Sequence, residues 1–195
     1  MIGQVVNIFI YLILFLFIVD LTKSDRYNKV ARAIKMILLP VLLLFDRMYF
    51  KNLNVGLLLA AILLYWAFSF YMIPDLGILG TLNLAVFKVC MTLIGIMKFL
   101  IIGGVILSWV YMFGMYVSNS FTALLQQLYE AIVSVFRNII PPTAGFDLSP
   151  LIAFFILQLS ERALSILLLE IIPRISSNYI NIFEVHSVKQ KQNRK

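Results

Sequence analysis

The sequence predicts an all-α membrane protein with about four transmembrane helices, and its composition and its long uncharged segments carry this prediction. Of the 195 residues, 62% are hydrophobic and 13% are charged, about half the charged share of a soluble domain. Two segments, Met1 to Val19 and Leu53 to Ile73, contain no charged side chain. Each is long enough to cross a hydrocarbon core about 30 Å thick. We therefore expect one membrane domain over residues 1–172 and a polar, basic tail over residues 173–195.

The third predicted span covers Phe99 to Val117, and apolar sequence extends back from it towards Thr81. A continuous helix of that length exceeds the bilayer core. We expect it to tilt, to enter the headgroups, or to kink at a glycine. The glycines available for a kink are Gly95, Gly103 and Gly104.

Charged residues interrupt the third and fourth predicted spans. The fourth span, Leu148 to Ile172, contains Glu161 and Arg162 near its middle, where a charged side chain costs about 2.5 to 3.5 kcal/mol on insertion scales. Both should therefore face protein or water, and Lys98 on the third span is the expected partner of Glu161. For Lys88 and Lys98 the preferred interpretation is that they extend to a membrane interface. For the charges of the fourth span, a structural ion pair is preferred over an ion path.

Two amphipathic helices are predicted between the spans. Apolar residues recur at helical spacing on one face of the first, namely Val30, Ile34, Ile37, Leu38, Val41, Leu44 and Phe45. Its opposite face carries Lys29, Arg32, Lys35, Asp46 and Arg47. The apolar face of the second consists of Phe121, Leu125, Leu128, Ile132, Val135 and Phe136, opposite Gln126, Gln127, Glu130, Ser134 and Arg137. Lys29, Arg32 and Lys35 form either a surface for water or anionic lipid, or a docking face for a partner.

The two amphipathic helices also indicate an internal duplication. Aligning Asn28 with Asn119 places the apolar positions of the first helix on apolar positions of the second. Each unit is then a span, an amphipathic helix and a span, with repeat one at about 1–74 and repeat two at about 81–172. Two such units have the same orientation in the membrane.

Basic residues predict how the spans are oriented. Seven lie between Lys23 and Lys51, whereas the connection from Pro74 to Asn83 has none. Basic residues near span ends favour the cytoplasmic side of a membrane. Both amphipathic helices should therefore be cytoplasmic.

The remaining composition argues against several function classes. Much of the basic excess behind the net charge of +7 lies beside apolar segments, so anionic lipid is a better counter-charge than nucleic acid. The single cysteine, Cys90, excludes an internal disulfide. The only histidine, His186, lies in the tail, so one chain cannot form a histidine metal cluster or a histidine-containing triad. We expect no enzymatic activity and no cofactor.

The most specific local signal is the segment from Phe136 to Pro150. Two prolines end the preceding helix, Gly145 permits a turn, and Ser149 before Pro150 suits an N-cap followed by the first helical position. A structural turn is the preferred interpretation, and a ligand site is the alternative.

This segment resembles the YggT family of integral membrane proteins, which includes YlmG-type relatives. The matching residues are Arg137, Ile140, Pro141, Gly145, Asp147, Ser149 and Pro150. Similar positions elsewhere are Ser108 and Trp109 and, in repeat one, Asp25, Tyr27, Asn28, Pro40 and Arg47. The chain departs from the family pattern at Asn138, where a second arginine is usual, and repeat one lacks the turn.

The resemblance implies a multi-pass protein of the bacterial cytoplasmic membrane, or of a thylakoid or plastid membrane. Proteins of this family are linked to osmotic-stress tolerance and ion balance, to cell division and chromosome distribution, and in plastids to cytochrome b6 maturation. We expect a non-enzymatic scaffold or assembly factor that contacts anionic lipid and either another membrane protein or a second copy of itself. The alternative is an oligomeric ion-conducting or transport protein.

Overall fold

The computed structural model describes residues 2–24, 28–45, 48–50, 53–137 and 147–192, with side chains described as far as Glu170. The helices are α1 (Ile2–Leu21), α2 (Lys29–Ile37), α3 (Leu39–Phe45), α4 (Val55–Met72), α5 (Gly77–Met112), α6 (Ser120–Arg137) and α7 (Ser149–Gln192). Two short strands, β1 (Tyr49–Phe50) and β2 (Leu53–Asn54), pair antiparallel, and a 3₁₀ turn at Pro74–Leu76 joins α4 to α5.

Four helices are long and apolar enough to cross a membrane. Their candidate spans are Gly3–Leu21, Val55–Met72, Pro74–Met112 and Ser149–Glu170. The predicted all-α membrane fold is therefore confirmed. The order of span, amphipathic segment and span also occurs twice along the chain, while the duplication that would explain this order stays a prediction.

α1 has the largest buried share of the four candidate spans. Its sequence is apolar on every side, as expected of a helix that meets protein or lipid all round, and its most buried side chains include Ile10, Ile13, Leu14, Leu16, Ile18 and Val19. The helix ends where Lys23 adopts a left-handed backbone conformation (φ 52°) and the Ser24 N–H donates to the Val19 carbonyl at 3.1 Å. This hydrogen bond is typical of a helix C-terminus.

The first amphipathic segment is two helices, where the sequence predicted one. α2 ends at Leu38, and α3 begins at Leu39, because Pro40 has no N–H to continue the helical hydrogen bonding. The break also changes which residues are covered: Leu38 is fully buried, whereas Ile37 and Leu44 are exposed. Ile37 and Leu44 belong to the predicted apolar face but are not covered by the described residues of this chain.

α5 remains one helix through all three glycines. Its 36 residues extend about 54 Å at 1.5 Å per residue, well beyond the core of a bilayer. Near its start, Thr81 accepts a hydrogen bond from Trp66 of α4 at 3.2 Å. Near its end, Tyr111 lines the same cavity as Thr22, just after α1. α5 therefore runs along the bundle without a break, and the choice between tilt and entry into the headgroups stays a prediction.

α6 buries part of its predicted apolar face. Its buried apolar residues are Leu124, Leu128, Tyr129, Ile132 and Val133. Phe121 and Val135, which belong to the predicted apolar face, are more than half exposed. α6 packs against both α5 and α7. These two neighbours determine which of its side chains are buried, and the apolar pattern of α6 alone does not.

α7 continues beyond the predicted end of the fourth span. Its backbone is helical from Ser149 to Gln192, so the segment that we predicted as a separate tail begins as an extension of the last helix. α7 packs mainly on α5 and also contacts α6. Ala153, Phe154 and Leu157 belong to that packed side.

Candidate functional site

Lys98 of α5 forms the centre of a polar cluster inside the bundle. Its ammonium group donates to the Gln158 Oε1 atom at 2.9 Å and forms an ion pair with Glu161. The ammonium also lies 5.9 Å from the centre of the Phe154 ring, within the range of a cation–π contact. The structure thus places Lys98 against Glu161, the partner suggested by the sequence.

This cluster lies near the middle of the membrane domain. The neighbour of Lys98, Phe99, lines the same cavity as Tyr11, which is the midpoint of α1. The Lys98 side chain is only 16% exposed, so the expectation that it extends to a membrane interface was wrong. Its charge is compensated because α7 brings a carboxylate and an amide oxygen to the same depth, which spares the cost of an isolated buried ion.

Arg162 differs from its neighbour Glu161. It is exposed on the surface of α7, and no described residue forms a hydrogen bond or an ion pair with its guanidinium group. Successive residues of a helix point about 100° apart, so Glu161 can face α5 while Arg162 faces outwards. The described residues of this chain do not enclose Arg162, and that it faces water or another protein stays a prediction.

The family-motif residues form a second polar cluster where α6 meets the start of α7. The Arg137 Nε atom donates to the Asp147 Oδ2 atom at 2.7 Å, and the same guanidinium group binds Glu130. Asp147 also accepts the backbone N–H of Ser149 at 2.9 Å. This Arg137 cluster joins the last turn of α6 to the first turn of α7.

The start of α7 corrects one detail of the predicted cap. Ile152 donates its N–H to the Leu148 carbonyl, so the hydrogen-bonded helix begins one residue earlier than predicted. Ser149 is the first helical residue, and the Asp147 carboxylate caps it in place of the predicted Ser149 side chain. Pro150 is buried in the first turn, where a helix tolerates a residue without an N–H. The motif residues Pro141 and Gly145 lie outside the described residues.

The Arg137 cluster shifts two ionisation equilibria. Hydrogen bonds from Arg137 to the carboxylates of Glu130 and Asp147 raise the pKa of Arg137 above its usual value. Partial burial raises the pKa of Asp147, but hydrogen bonds from Ser149 and Arg137 outweigh it, so this pKa lies below its usual value. Both groups are therefore charged throughout the physiological pH range.

The two asparagines aligned by the predicted duplication have matching roles. Asn28 accepts the Val30 N–H at 2.9 Å at the start of α2. Asn119 accepts the Phe121 N–H at 2.9 Å at the start of α6. Asn28 also donates to the Ser120 carbonyl at 2.7 Å, so the two helix starts are in contact. Side-chain caps of this kind satisfy backbone donors that a helix leaves unpaired.

The predicted basic face of α2 lies largely at the surface. Lys29 and Arg32 are exposed, and Lys35 is partly buried. Within the described residues, none of the three forms an ion pair with an acidic side chain. Their placement leaves three cationic groups open to solvent or to lipid headgroups.

Two cavities were not predicted from the sequence. An apolar cavity of about 540 Å³ lies between α1, α2, α5 and α6, with Tyr11, Ile34 and Phe99 among its lining residues. A polar cavity of about 670 Å³ lies near the end of α1, with Lys23, Gln126 and Glu130 at its wall. Both depend on how helices distant in sequence converge. In the described part of the chain, no group of three His, Cys, Asp or Glu side chains is placed to hold a metal ion.

Comparisons with known proteins agree with the motif. Residues 83–168 match the protein family described as CCB3/YggT, and this segment contains Lys98, Arg137, Asp147 and Glu161. The chain is also similar to uncharacterized protein PA0392 of Pseudomonas aeruginosa, with 29% identity over 163 residues that cover 80% of this chain and 81% of that protein. No solved structure matches the chain. The expected resemblance is confirmed for residues 83–168, somewhat less than half of the chain, which match the CCB3/YggT family.

Proposed function

We propose that this protein is a non-enzymatic scaffold or assembly factor that binds another membrane protein within the bilayer. One observation carries the proposal: the outer face of α7 is exposed and carries Arg162 near mid-depth. An arginine that faces hydrocarbon is unfavourable by several kcal/mol. A second protein that covers this face and supplies hydrogen-bond acceptors would remove that cost.

The Lys98 cluster supports the same proposal. The ion pair fixes α7 on α5 from its inner side, so the outer face is presented in one orientation. The Arg137 cluster fixes the start of the same helix through Asp147. A rigid, preoriented helix loses little entropy when a partner binds, which favours association.

A second candidate function is ion conduction by an oligomer. It is favoured by Lys98, Gln158 and Glu161, three polar side chains that meet near the middle of the membrane domain. Charged residues at this depth mark ion pathways in many membrane proteins. Four spans enclose little space, so a pore would require several copies.

The site of action that we propose is the bacterial cytoplasmic membrane, with the amphipathic helices on the cytoplasmic side. The exposed Lys29 and Arg32 would then contact anionic headgroups of that leaflet. Support of cell division or of osmotic-stress tolerance is the cellular role implied by the family resemblance.

Crosslinking and flux measurements separate the two functions. The intact protein is crosslinked in its native membrane and its stoichiometric partners are identified, and the purified protein is then tested for ion flux in liposomes. The scaffold proposal predicts a heterologous partner and no flux above that of empty liposomes. Selective flux that disappears in Glu161→Ala, in a variant that still inserts, would establish the ion-conducting alternative.

A further inference from the structure

Five residues form one continuous line along the exposed side of α7. They are Phe155, Leu159, Arg162, Ile166 and Leu169, and we call this line the α7 seam. The spacing alternates between four and three residues, the pattern that keeps side chains on one contact line between two packed helices. The four apolar members are 58–74% exposed. None of this chain's described helices covers them.

The apolar part of the seam needs no protein partner, because lipid chains cover apolar side chains equally well. Arg162 is the exception. It lies between Leu159 and Ile166 on the seam and next in sequence to Glu161, which binds Lys98 near mid-depth. The apolar span continues to Glu170, about 12 Å along the helix axis. That distance exceeds the length of an extended arginine side chain, so Arg162 cannot bring its charge to the nearer interface without deforming the bilayer.

A second copy of this chain does not supply the missing counter-charge. Two copies inserted in the same orientation and related by an axis along the membrane normal bring their Arg162 side chains together at equal depth. Like charges repel strongly in a medium of low polarity. The nearest carboxylate of each copy, Glu161, is already bonded to Lys98 on the inner side of α7.

We propose that the α7 seam docks a transmembrane helix of a different protein that carries an Asp or Glu side chain at mid-bilayer. Arg162 forms a bidentate ion pair with that carboxylate, and the apolar seam residues pack above and below it. The guanidinium group matches a carboxylate in planar geometry. This inference rests on the proposed scaffold function and specifies the chemistry of the partner.

The test uses photo-crosslinking in the full-length protein in its native membrane. A photoreactive phenylalanine analogue is placed on the seam at Leu159, on the packed side of α7 at Leu157 as a matched control, and on another exposed apolar surface at Leu43. The seam probe should capture a heterologous membrane protein, and the Leu157 probe should not. The captured protein should contain an acidic residue in a membrane span.

The charge is tested by three variants in the background of the seam probe. Arg162→Leu should lower the capture yield at least tenfold, while Arg162→Lys should retain part of it because the charge remains. Leucine makes the span more apolar, so insertion is not impaired, and Lys98 with Glu161 is left intact. Arg162→Glu, combined with arginine in place of the partner's carboxylate, should restore capture.

Each other outcome overturns the inference. If the seam probe captures only a second copy of this chain, or only lipid, the proposal of an acidic partner protein is wrong. Capture that is unchanged in Arg162→Leu, or a captured protein without an intramembrane acidic residue, removes the role of the arginine. Capture of a partner from Leu43 and none from Leu159 leaves the scaffold function standing and rejects the seam. Absence of a heterologous partner from both surfaces contradicts both proposals.

Discussion

At the scale of single residues, Lys98 and Arg162 are two charges within the candidate spans that differ in their surroundings. Lys98 has an acidic partner and an amide oxygen, whereas Arg162 has neither within the described residues. Lys98 meets the side of α7 that carries Glu161, and Arg162 points about 100° away from that side. Lys98 therefore contributes to packing within the chain, whereas Arg162 is available to groups outside it.

Removing one half of the Lys98 ion pair should destabilise the protein more than removing both halves. Lys98→Met leaves Glu161 as an uncompensated carboxylate, and we expect a loss of about 2 kcal/mol, at the low end for buried pairs because Glu161 is partly exposed. Lys98→Met combined with Glu161→Met should recover most of that loss. Unfolding in mixed micelles, followed by the fluorescence of Trp66 and Trp109, measures the difference. Equal losses in both variants would contradict the prediction.

The contribution of Asp147 to the stability of the protein should depend on pH. Its pKa in the folded protein lies below its usual value of about 3.9, so the contribution is complete above pH about 4 and is lost as the pH falls through the folded pKa. Asp147→Asn should therefore cost about 1 kcal/mol at pH 7.

The measurement for Asp147 is the difference in melting temperature between the protein and the variant, recorded in detergent from pH 7 to pH 3. This difference should shrink below pH 4. A difference that stays constant over the whole range would show that the carboxylate charge contributes nothing. Glu130→Gln at the other side of Arg137 provides a matched control, because the Asp147 contact remains.

At the scale of elements, the glycines of α5 differ in whether close packing requires them. A Cβ atom at Gly104 would lie 2.2 Å from the ring of Tyr129 on α6, whereas a Cβ atom at Gly95 meets nothing within 4 Å. Gly104 is therefore required by the contact between α5 and α6. The helix does not need Gly95 for packing.

The two glycines should respond oppositely to alanine. Gly104→Ala should destabilise the protein by about 2 kcal/mol because α6 must shift away from α5. Gly95→Ala should be neutral or stabilise by up to about 1 kcal/mol, since alanine favours a helix. Unfolding in micelles with matched detergent provides both values. Similar losses at both positions would contradict the assignment of close packing to Gly104 alone.

The sequence anticipated most elements and missed how two of them pack. Pro40 was visible in the sequence, but its effect on the first amphipathic helix was not predicted. The apolar face predicted for α6 also did not specify which residues meet protein: Phe121 and Val135 are exposed, whereas Val133 is buried. The apolar pattern of a helix indicates how much of its surface is excluded from water. The arrangement of neighbouring helices determines which part of that surface contacts protein.

At the scale of the whole molecule, the starts of α2 and α6 are in contact. Asn28 caps α2 and also binds the Ser120 carbonyl at the start of α6, where Asn119 is the cap. Contact between equivalent positions is expected when two repeats share an axis along the membrane normal. Both amphipathic segments then lie at the same face of the membrane.

Cysteine labelling tests this arrangement. In a Cys90→Ser background, a cysteine in place of Arg32 or of Gln127 should react with a membrane-impermeant reagent only after the cytoplasmic membrane is opened. A cysteine in place of Asp75, in the turn between α4 and α5, should react before it is opened. Opposite behaviour of the two amphipathic helices would rule out repeats of the same orientation.

The candidate site was predictable in part. The motif residues Arg137, Asp147 and Ser149 were identified from their order in the sequence, and the structure joins them by hydrogen bonds. Lys98 was matched with Glu161 because both are charges in apolar segments that need partners. The direction of Arg162 and the two cavities depend on the angles between helices, which local sequence does not specify.

The sequence by itself determined the four spans, the amphipathic segments and the family motif. These follow from local composition, because the transfer of a segment from water to lipid depends on its own side chains. Tertiary structure alone decided that Lys98 is enclosed, that Gly104 meets Tyr129 and that Arg162 faces outwards. Those outcomes depend on which helices meet and at what angle. Two adjacent residues, Glu161 and Arg162, therefore share one local sequence but differ in environment.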